Sequence, residues 1–548
     1  IRDRQSYHPH VEVMLASGEK ARIGELVDRL FAEHETEKII GKECEILPVG
    51  RYGIRLITTP DFKKFETVSV DRVSRHLAPN TFTQIRYSNG RDVTVTPEHP
   101  VYVHRDGRLL TVAASEIKVG DFVPGPRMLD CLSSAQQLVV PLVAHHNEKI
   151  IALPSRLTED LGGIMGYLIT EGYSYRGSAS EIGFANTTQA FIREMNQLMK
   201  DTFCIVPLDY SHVARTQRYV SSRLYRYFET NFPTMLERAS TKRVPAAIMS
   251  ATPNIVRAFL RSAFKGDGSV EPEALCYRTS SKGLAEDYQD LLLRLGISSR
   301  LLTDRYNDSF KVYVLGDSLP SFIRQVLDRR DPRYPKINAL LTRNRRALRG
   351  HDVLPTDGAR DLITLQRLVG ISNDGYFHEH IRNGYGITRK TVGKRLNKLE
   401  ARIAQLRCGI ARRMTIRSLR QLLGWSQAKA AGMLELRRST VDYAERDGYS
   451  EDFRRTVLEK LRNRALGSIA LARVELNRLK TMNESSIRWL RVTRVRSLSN
   501  FGPLRTKWVY DLTIEPTHNF VSHGVVLHNT VSVAKGGIVA TLNARASV

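Results

Sequence analysis

Read from the N-terminus, the spacing of apolar positions changes period along the chain, and each change predicts a different kind of structure. Val11 to Leu15 alternates as a strand does, Ala16-Ser17-Gly18 supplies a turn, and Ile23 to Phe31 reads as a short amphipathic helix. The run from Val93 to Val103 has strand character on both sides of Thr96-Pro97-Glu98-His99. A proline at the second turn position favours a β-turn, which would bring Thr96 and His99 to one side. From about 150 to 345 the pattern becomes helical with acidic end-pieces. Leu161 to Gly172 and Leu260 to Gly268 are two degenerate copies of one pattern, with small residues four apart, Gly162 with Gly166 and Ser262 with Gly266. Two such helices can approach closely along that face. Residues 343–485 are basic and helical, Arg488 to Arg496 returns to strand periodicity, and two β-type runs follow at 509–515 and 520–527, broken by Pro516-Thr517-His518-Asn519.

Composition narrows what such a chain can be. At 548 residues there is room for about three or four domains, and 42% hydrophobic content supports real cores. A net charge of +26 calls for a polyanionic partner, most simply nucleic acid. No apolar run of membrane length and no leader pattern is read, so a soluble, cytoplasmic protein without a membrane partner is expected. Cys44, Cys131, Cys204, Cys276 and Cys408 are scattered without metal or disulfide spacing, and are expected to be reduced. No nucleotide-binding glycine loop is found.

The chemistry is concentrated near the two ends. An Asn can attack its own backbone carbonyl through its side-chain amide, forming a succinimide and cutting the chain after itself. That needs a proton donor for the leaving amine and a positioned carbonyl. His528 and His518 are candidates for both tasks at Asn529, and Thr530 follows as a hydroxyl nucleophile. Near the other end Ser6, uninformative as a lone serine, is singled out by its register, which resembles that of the opening nucleophile of inteins and implies attack on the Gln5 carbonyl to convert the peptide to an ester. Thr96 and His99 would polarise that peptide and protonate its leaving nitrogen.

These pieces, in this order, resemble the blocks of inteins. The stretch Val509-Tyr-Asp-Leu through His518-Asn-Phe to His528-Asn529-Thr530 matches the family's C-terminal splicing motif. Ser6 stands where the family's nucleophile opens a strand, a turn and an Ile-Gly-Glu-Leu helix. The resemblance implies a Hint splicing fold with Ser6, Thr96, His99, Asp511, His518, His528, Asn529 and Thr530 as its catalytic set, needing no cofactor. An autoprocessing domain of the hedgehog type is the alternative, but it has no use for a C-terminal Asn.

The helical middle carries a second chemistry. Each patterned helix ends in a carboxylate before glycine, and packing the pair would bring Glu171 and Asp267 together, where like charges call for divalent cations. This pair resembles the LAGLIDADG motifs of intein homing endonucleases. It implies Mg²⁺-dependent double-strand cleavage with Glu171 and Asp267 as metal ligands and Lys242, or less directly Arg243, as the site's cation. A catalytically dead insertion that only binds DNA is the alternative. Downstream, Leu422 to Glu445 resembles a repressor-type helix-turn-helix, with Ser426 as N-cap and Arg438, Ser439, Thr440 and Asp442 on the DNA-reading helix. Tyr385 to Glu400 is a second candidate.

The reading is therefore multidomain: an all-β Hint horseshoe splicing fold, split by an α/β LAGLIDADG endonuclease and an α-helical helix-turn-helix-like module. Its expected segments are an N-extein remnant at 1–5, splicing-domain parts at 6–150 and 487–529, the endonuclease at 151–345, the basic helical module at 346–486, and C-extein at 530–548. That last segment resembles the archaeal MCM replicative helicase. The expected partners are the exteins of such a helicase and double-stranded DNA carrying its intein-less gene site, bound by a monomer.

Overall fold

The computed structural model describes residues 5–529 except 42, 134–135, 145–147, 178–179, 209–214, 273, 305, 344–351, 372–374 and 413. The expected N-extein residues 1–4, Thr530, the helicase-like 530–548, and Arg345, Arg346, Arg349 and Arg413 of the basic block lie outside the described residues.

The two ends of the chain build one β structure. A six-stranded sheet runs in the order Arg108–Ala113, Pro100–Arg105, Phe122–Pro126, Ile487–Ser499, Thr81–Tyr87, Asp92–Val95. Its long strand Ile487–Ser499 comes from the far end of the sequence, yet pairs antiparallel on both sides, Val123 opposite Leu490 and Phe82 opposite Leu498. A second sheet places Trp508–Thr513 beside Arg72–Leu77, Cys44–Pro48 and Ile39–Ile40. Ile487, Leu490, Val492, Leu512 and Ile514 are buried, and burying each such side chain is worth roughly 1.5–3 kcal/mol. The returning segment is thus part of the core.

The run expected as one strand at 520–527 is instead a hairpin, Asn519–Ser522 against Val525–His528. His523 (φ 53°) and Gly524 (φ 71°) form its turn. Positive φ at both central residues is what a two-residue hairpin of this twist requires, and the familiar signal there is Asn-Gly. A histidine in the first place hides the turn. The strand expected over 509–515 ends at Thr513.

The middle of the chain has its own interior. Helices Glu159–Glu171 and Pro253–Asp267 lie against each other along their small residues. A Cβ on Gly166 would sit 2.2 Å from the Phe259 carbonyl oxygen, and one on Gly266 would sit 2.1 Å from Thr170 Oγ1. Each helix passes at its final glycine straight into a sheet, Gly172–Tyr175 in a three-stranded one and Gly268–Val270 in a four-stranded one. A further core joins helices Arg389–Ile410, Ile416–Leu422, Gln427–Leu434, Arg438–Glu445 and Glu451–Glu484. It extends to Ile487 and Trp489, so the helical module is seated on the β structure. The five cysteines are free. No described helix is long and apolar enough to cross a membrane.

Candidate functional site

Ser6, Tyr7 and His8 run between the two sheets. Tyr7 exchanges backbone hydrogen bonds with Tyr510, at 2.8 and 3.0 Å, on one side. On the other, His8 N donates to Thr94 O (3.1 Å) and Thr96 N to Ser6 O (3.0 Å). Ser6 is fully buried, and its Oγ has no hydrogen-bond partner among the described residues. Its backbone N–H donates to Thr96 Oγ1 at 3.1 Å, so the amide that an acyl shift would break is held by Thr96. The expected turn brings His99 round, its N–H donating to Thr96 O (3.1 Å). The His99 ring is in reach of the backbones of Gln5 and His528, contacts that favour the protonated ring and are therefore made with carbonyls. Burial, then the neighbouring His528, outweighs them and pushes His99 down to about 3, so the ring is neutral near pH 7.

The other junction lies in the same pocket. Asn529 is fully buried, and its N–H donates to His518 O at 3.1 Å. His528 Nδ1 is 2.6 Å from Asn529 O, where the ring can polarise the carbonyl that the side-chain amide would attack. Burial lowers His528 to about 4. The Tyr7 hydroxyl donates to His528 O and so ties the neighbour of Ser6 to the neighbour of Asn529. His518 has a left-handed backbone (φ 52°), and its Nε2 lies 3.2 Å from Glu515 Oε2. Asp511 is buried near Tyr7, where its charge adds to burial in raising the phenol.

Two participants were not anticipated. Tyr7 offers no local pattern. Asn519 does: its Oδ1 accepts from Thr58 Oγ1 and Thr59 N, both at 3.0 Å, and its Nδ2 donates to Thr59 O (2.9 Å) and Thr517 O (2.8 Å). A turn Asn that satisfies surrounding backbone is a readable signal.

At the paired helix ends, burial and then the Glu171 charge together raise Asp267 to about 8, with Lys242 opposing. Glu171 is itself raised by burial. The two carboxylates and the Lys242 ammonium therefore form one electrostatic cluster beside a cavity of about 310 Å³ lined in part by Lys242, Asp267, Arg278 and Ser309. Lys242 Nζ donates to the carbonyls of Leu168 (3.2 Å), Ile169 (3.3 Å) and Gly172 (2.8 Å), capping the first helix. Arg243 is directed elsewhere, to Asp287 (2.8 Å) and Glu12 (2.7 Å), and is excluded from this cluster. Among the described residues no group of three or more His, Cys, Asp or Glu could hold a metal. Two converging carboxylates that both resist ionisation nonetheless fit a hard divalent cation, which favours oxygen ligands.

Compared with known protein families, the chain matches the intein splicing domain over residues 13–529. The chain belongs to the intein splicing-domain family. Among curated proteins the intein is similar to the RNA polymerase subunit Rpo1C of Methanocaldococcus jannaschii, 21% identical over 97% of this chain and 56% of that protein. It is similar to the replication factor C small subunit of the same organism, 27% identical over 50% of this chain and 14% of that one. Transcription initiation factor IIB of that organism is 27% identical over 52% of this chain and 37% of its own length. The intein thus spans less than two thirds of each. Among solved structures, the PabCDC21-1 intein overlaps 23% of this chain and 74% of its own, at 21% identity and a TM-score of 0.21. I-DmoI in complex with DNA and Mn overlaps 30% and 96%, at 17% identity and a TM-score of 0.24. Scores this low carry nothing about function.

The intein's helical module places the remaining candidates. Ser426 caps its helix, accepting from Lys429 N at 3.1 Å, and Glu435 takes the left-handed turn position (φ 57°) where glycine is usual. Arg438 and Ser439 are exposed and Thr440 is half-buried at the start of the last short helix. The Asp442 carboxylate, partly exposed, accepts from Gln427 Nε2 (2.9 Å) and pairs with Arg446 (3.0 Å). In the second candidate, Arg389 is buried, bonded to Asp352 at 2.9 Å and to Met482 O at 2.6 Å, and holds the fold together.

Proposed function

We propose that this intein excises itself and joins its flanking segments by acyl shift, transesterification and Asn cyclisation, and that its inserted middle cuts double-stranded DNA. The observation that carries the first half is the meeting of both junctions around Tyr7, His99 and His528. Ser6 Oγ attacks the Gln5 carbonyl carbon, the C–N bond breaks, and the hydroxyl proton passes by way of neutral His99 to the freed Ser6 nitrogen. Thr530 Oγ then takes the acyl group from Ser6. Asn529 Nδ2 attacks its own carbonyl carbon while His528 polarises the oxygen, and the nitrogen of Thr530 leaves with a proton. The new ester rearranges to an amide. His518 contributes by holding the Asn529 N–H, and Asp511 by packing under Tyr7.

The segment boundaries given above, with 6–150 and 487–529 as one splicing unit, belong to this proposal, as do a monomeric state and helicase-derived exteins. Matches of one sequence to a replication factor, a polymerase subunit and a transcription factor support an element inserted into unrelated hosts. For the nuclease, Glu171 and Asp267 would hold Mg²⁺ or a similar ion, which supplies Lewis acidity at the phosphodiester. Lys242 fixes the end of the first helix and tempers the charge of the pair, while the exposed start of the Arg438–Glu445 helix faces DNA. Thr530→Ala tests the splicing order: cleavage without ligation is expected, and efficient ligation would refute it. Glu171→Gln should abolish metal-dependent cleavage of a DNA site lacking the insertion, with splicing unchanged.

A further inference from the structure

The hairpin that ends on His528 and Asn529 is anchored at its turn. Ser522 Oγ donates to Glu12 O (2.6 Å), Asn89 Nδ2 donates to His523 O (2.9 Å), and Arg91 Nη2 lies 3.4 Å from His523 Nδ1. The turn is wedged, since a Cβ on Gly125 would lie 2.3 Å from Gly524 O, and one on Gly524 would lie 3.0 Å from Asn89 Nδ2.

Two of these three anchors are themselves braced by helix Lys282–Arg294 of the inserted middle. Asp290 Oδ1 accepts from Arg91 Nη1 at 3.2 Å, and the Glu286 carbonyl accepts from the same atom at 3.3 Å. Gln289 Nε2 donates to Asn89 O at 3.0 Å. The contact is buried and densely charged. Lys20 lies 2.6 Å from Asp287 and 2.8 Å from Asp290, and Arg243 bridges Asp287 to Glu12. Arg91 and Asp290 side chains are each only 2% exposed. A guanidinium so buried is held in place by its carboxylates, Asp290 at 3.2 Å and Glu286 at 3.6 Å on the same helix, because an unpaired buried charge is costly. His523 also occupies a left-handed position where its ring, unlike that of a surface turn residue, is buried toward Arg91.

We propose that Asp290, acting through Arg91 and His523, is a positioning residue for the C-terminal junction, so that the inserted middle helps to set the geometry of Asn529 cyclisation. The proposal rests on the splicing reading. Helix Lys282–Arg294 holds the turn at one end of the hairpin, and the strand Val525–His528 carries that constraint to the pocket where His528 meets the Asn529 carbonyl.

The test uses the full chain between two foreign exteins and follows both junctions separately. N-terminal ester is read by hydroxylamine-induced cleavage, and Asn529 cyclisation by the rate of C-terminal cleavage. Two variants are compared with wild type. Asp290→Asn removes the nearer of the two carboxylates that hold Arg91, the other being Glu286 at 3.6 Å. His523→Asn keeps a residue this turn type favours and removes only the ring. In both, C-terminal cleavage should slow about five- to tenfold while hydroxylamine cleavage stays within about twofold, and the double variant should be little slower than either single one. If wild type processes and His523→Asn keeps its C-terminal rate, the positioning assignment is wrong. Equal slowing of both junctions would likewise overturn it, leaving Asp290 a general structural residue. Failure of wild type to process would instead refute the splicing reading.

Discussion

The Tyr7 hydroxyl donates to the carbonyl of His528, so the second residue after one scissile bond is bonded to the second residue before the other. Removing that hydroxyl takes one donor from a half-buried carbonyl that the His99 ring also reaches, which costs about 0.5–1.5 kcal/mol. Tyr7→Phe is therefore expected to slow ligation by up to about tenfold and to raise the yield of singly cleaved products, measured by gel densitometry of precursor, ligated and cleaved species. The ring still packs 4.4 Å from His99 and 5.7 Å from Phe520, so folding should be kept.

The close helix pair makes a stability prediction. Gly166→Ala places a methyl carbon where the Phe259 carbonyl oxygen already lies within 2.2 Å, so the helices must move apart. A loss of about 1–3 kcal/mol is expected in urea unfolding of the middle unit. Cleavage should fall as well, because the same displacement separates Glu171 from Asp267.

Asp267 gives a pH dependence. Its folded value, raised to about 8, lies above that of an unfolded carboxylate. Between about pH 4 and 8 the unfolded chain therefore releases a proton that the fold retains, and stability falls as pH rises through that window. Asp267→Asn removes this penalty, so its urea midpoint should exceed that of wild type at pH 8 and approach it at pH 4. The same variant should lose metal-dependent DNA cleavage. In wild type, metal binding should strengthen with rising pH up to about 8, because the cation competes with one proton.

In the helical module, Arg438→Ala and Thr440→Ala are expected to weaken binding to a homing site by roughly 1–3 kcal/mol for each base-edge hydrogen bond removed, and to weaken binding to random DNA less. Asp442→Ala should instead disturb the bonds to Gln427 and Arg446 with little effect on specificity. Competition binding at two salt concentrations separates these outcomes. Equal weakening on both DNAs would make the block a phosphate-neutralising surface.

Much of the splicing site is legible in the sequence because its chemistry needs particular residue types beside the bonds to be broken. Ser6, the turn Thr96 to His99, and His528-Asn529 are local patterns, and the two glycine-stepped helices announce their own close packing. What escapes is held together by residues distant in sequence. Tyr7 meets His528, and Arg91 meets both Asp290 and His523, through single side chains that leave no period or spacing. The turn at His523 is hidden because a histidine takes a backbone conformation usually signalled by Asn. Lys242 lies in the cluster, but no spacing could tell that its ammonium would cap the helix carbonyls of Leu168 and Ile169 and that of Gly172 beyond them.

The central claim, that both junctions are broken and rejoined through Ser6, Thr530 and Asn529, is tested most directly by intact mass after expression between foreign exteins. Wild type should yield one ligated extein product and an excised chain ending in a succinimide at Asn529. Asn529→Ala should yield no C-terminal cleavage, leaving precursor with branched ester or N-terminally cleaved material. Ligated product from Asn529→Ala, or unprocessed precursor alone from wild type, would contradict the account.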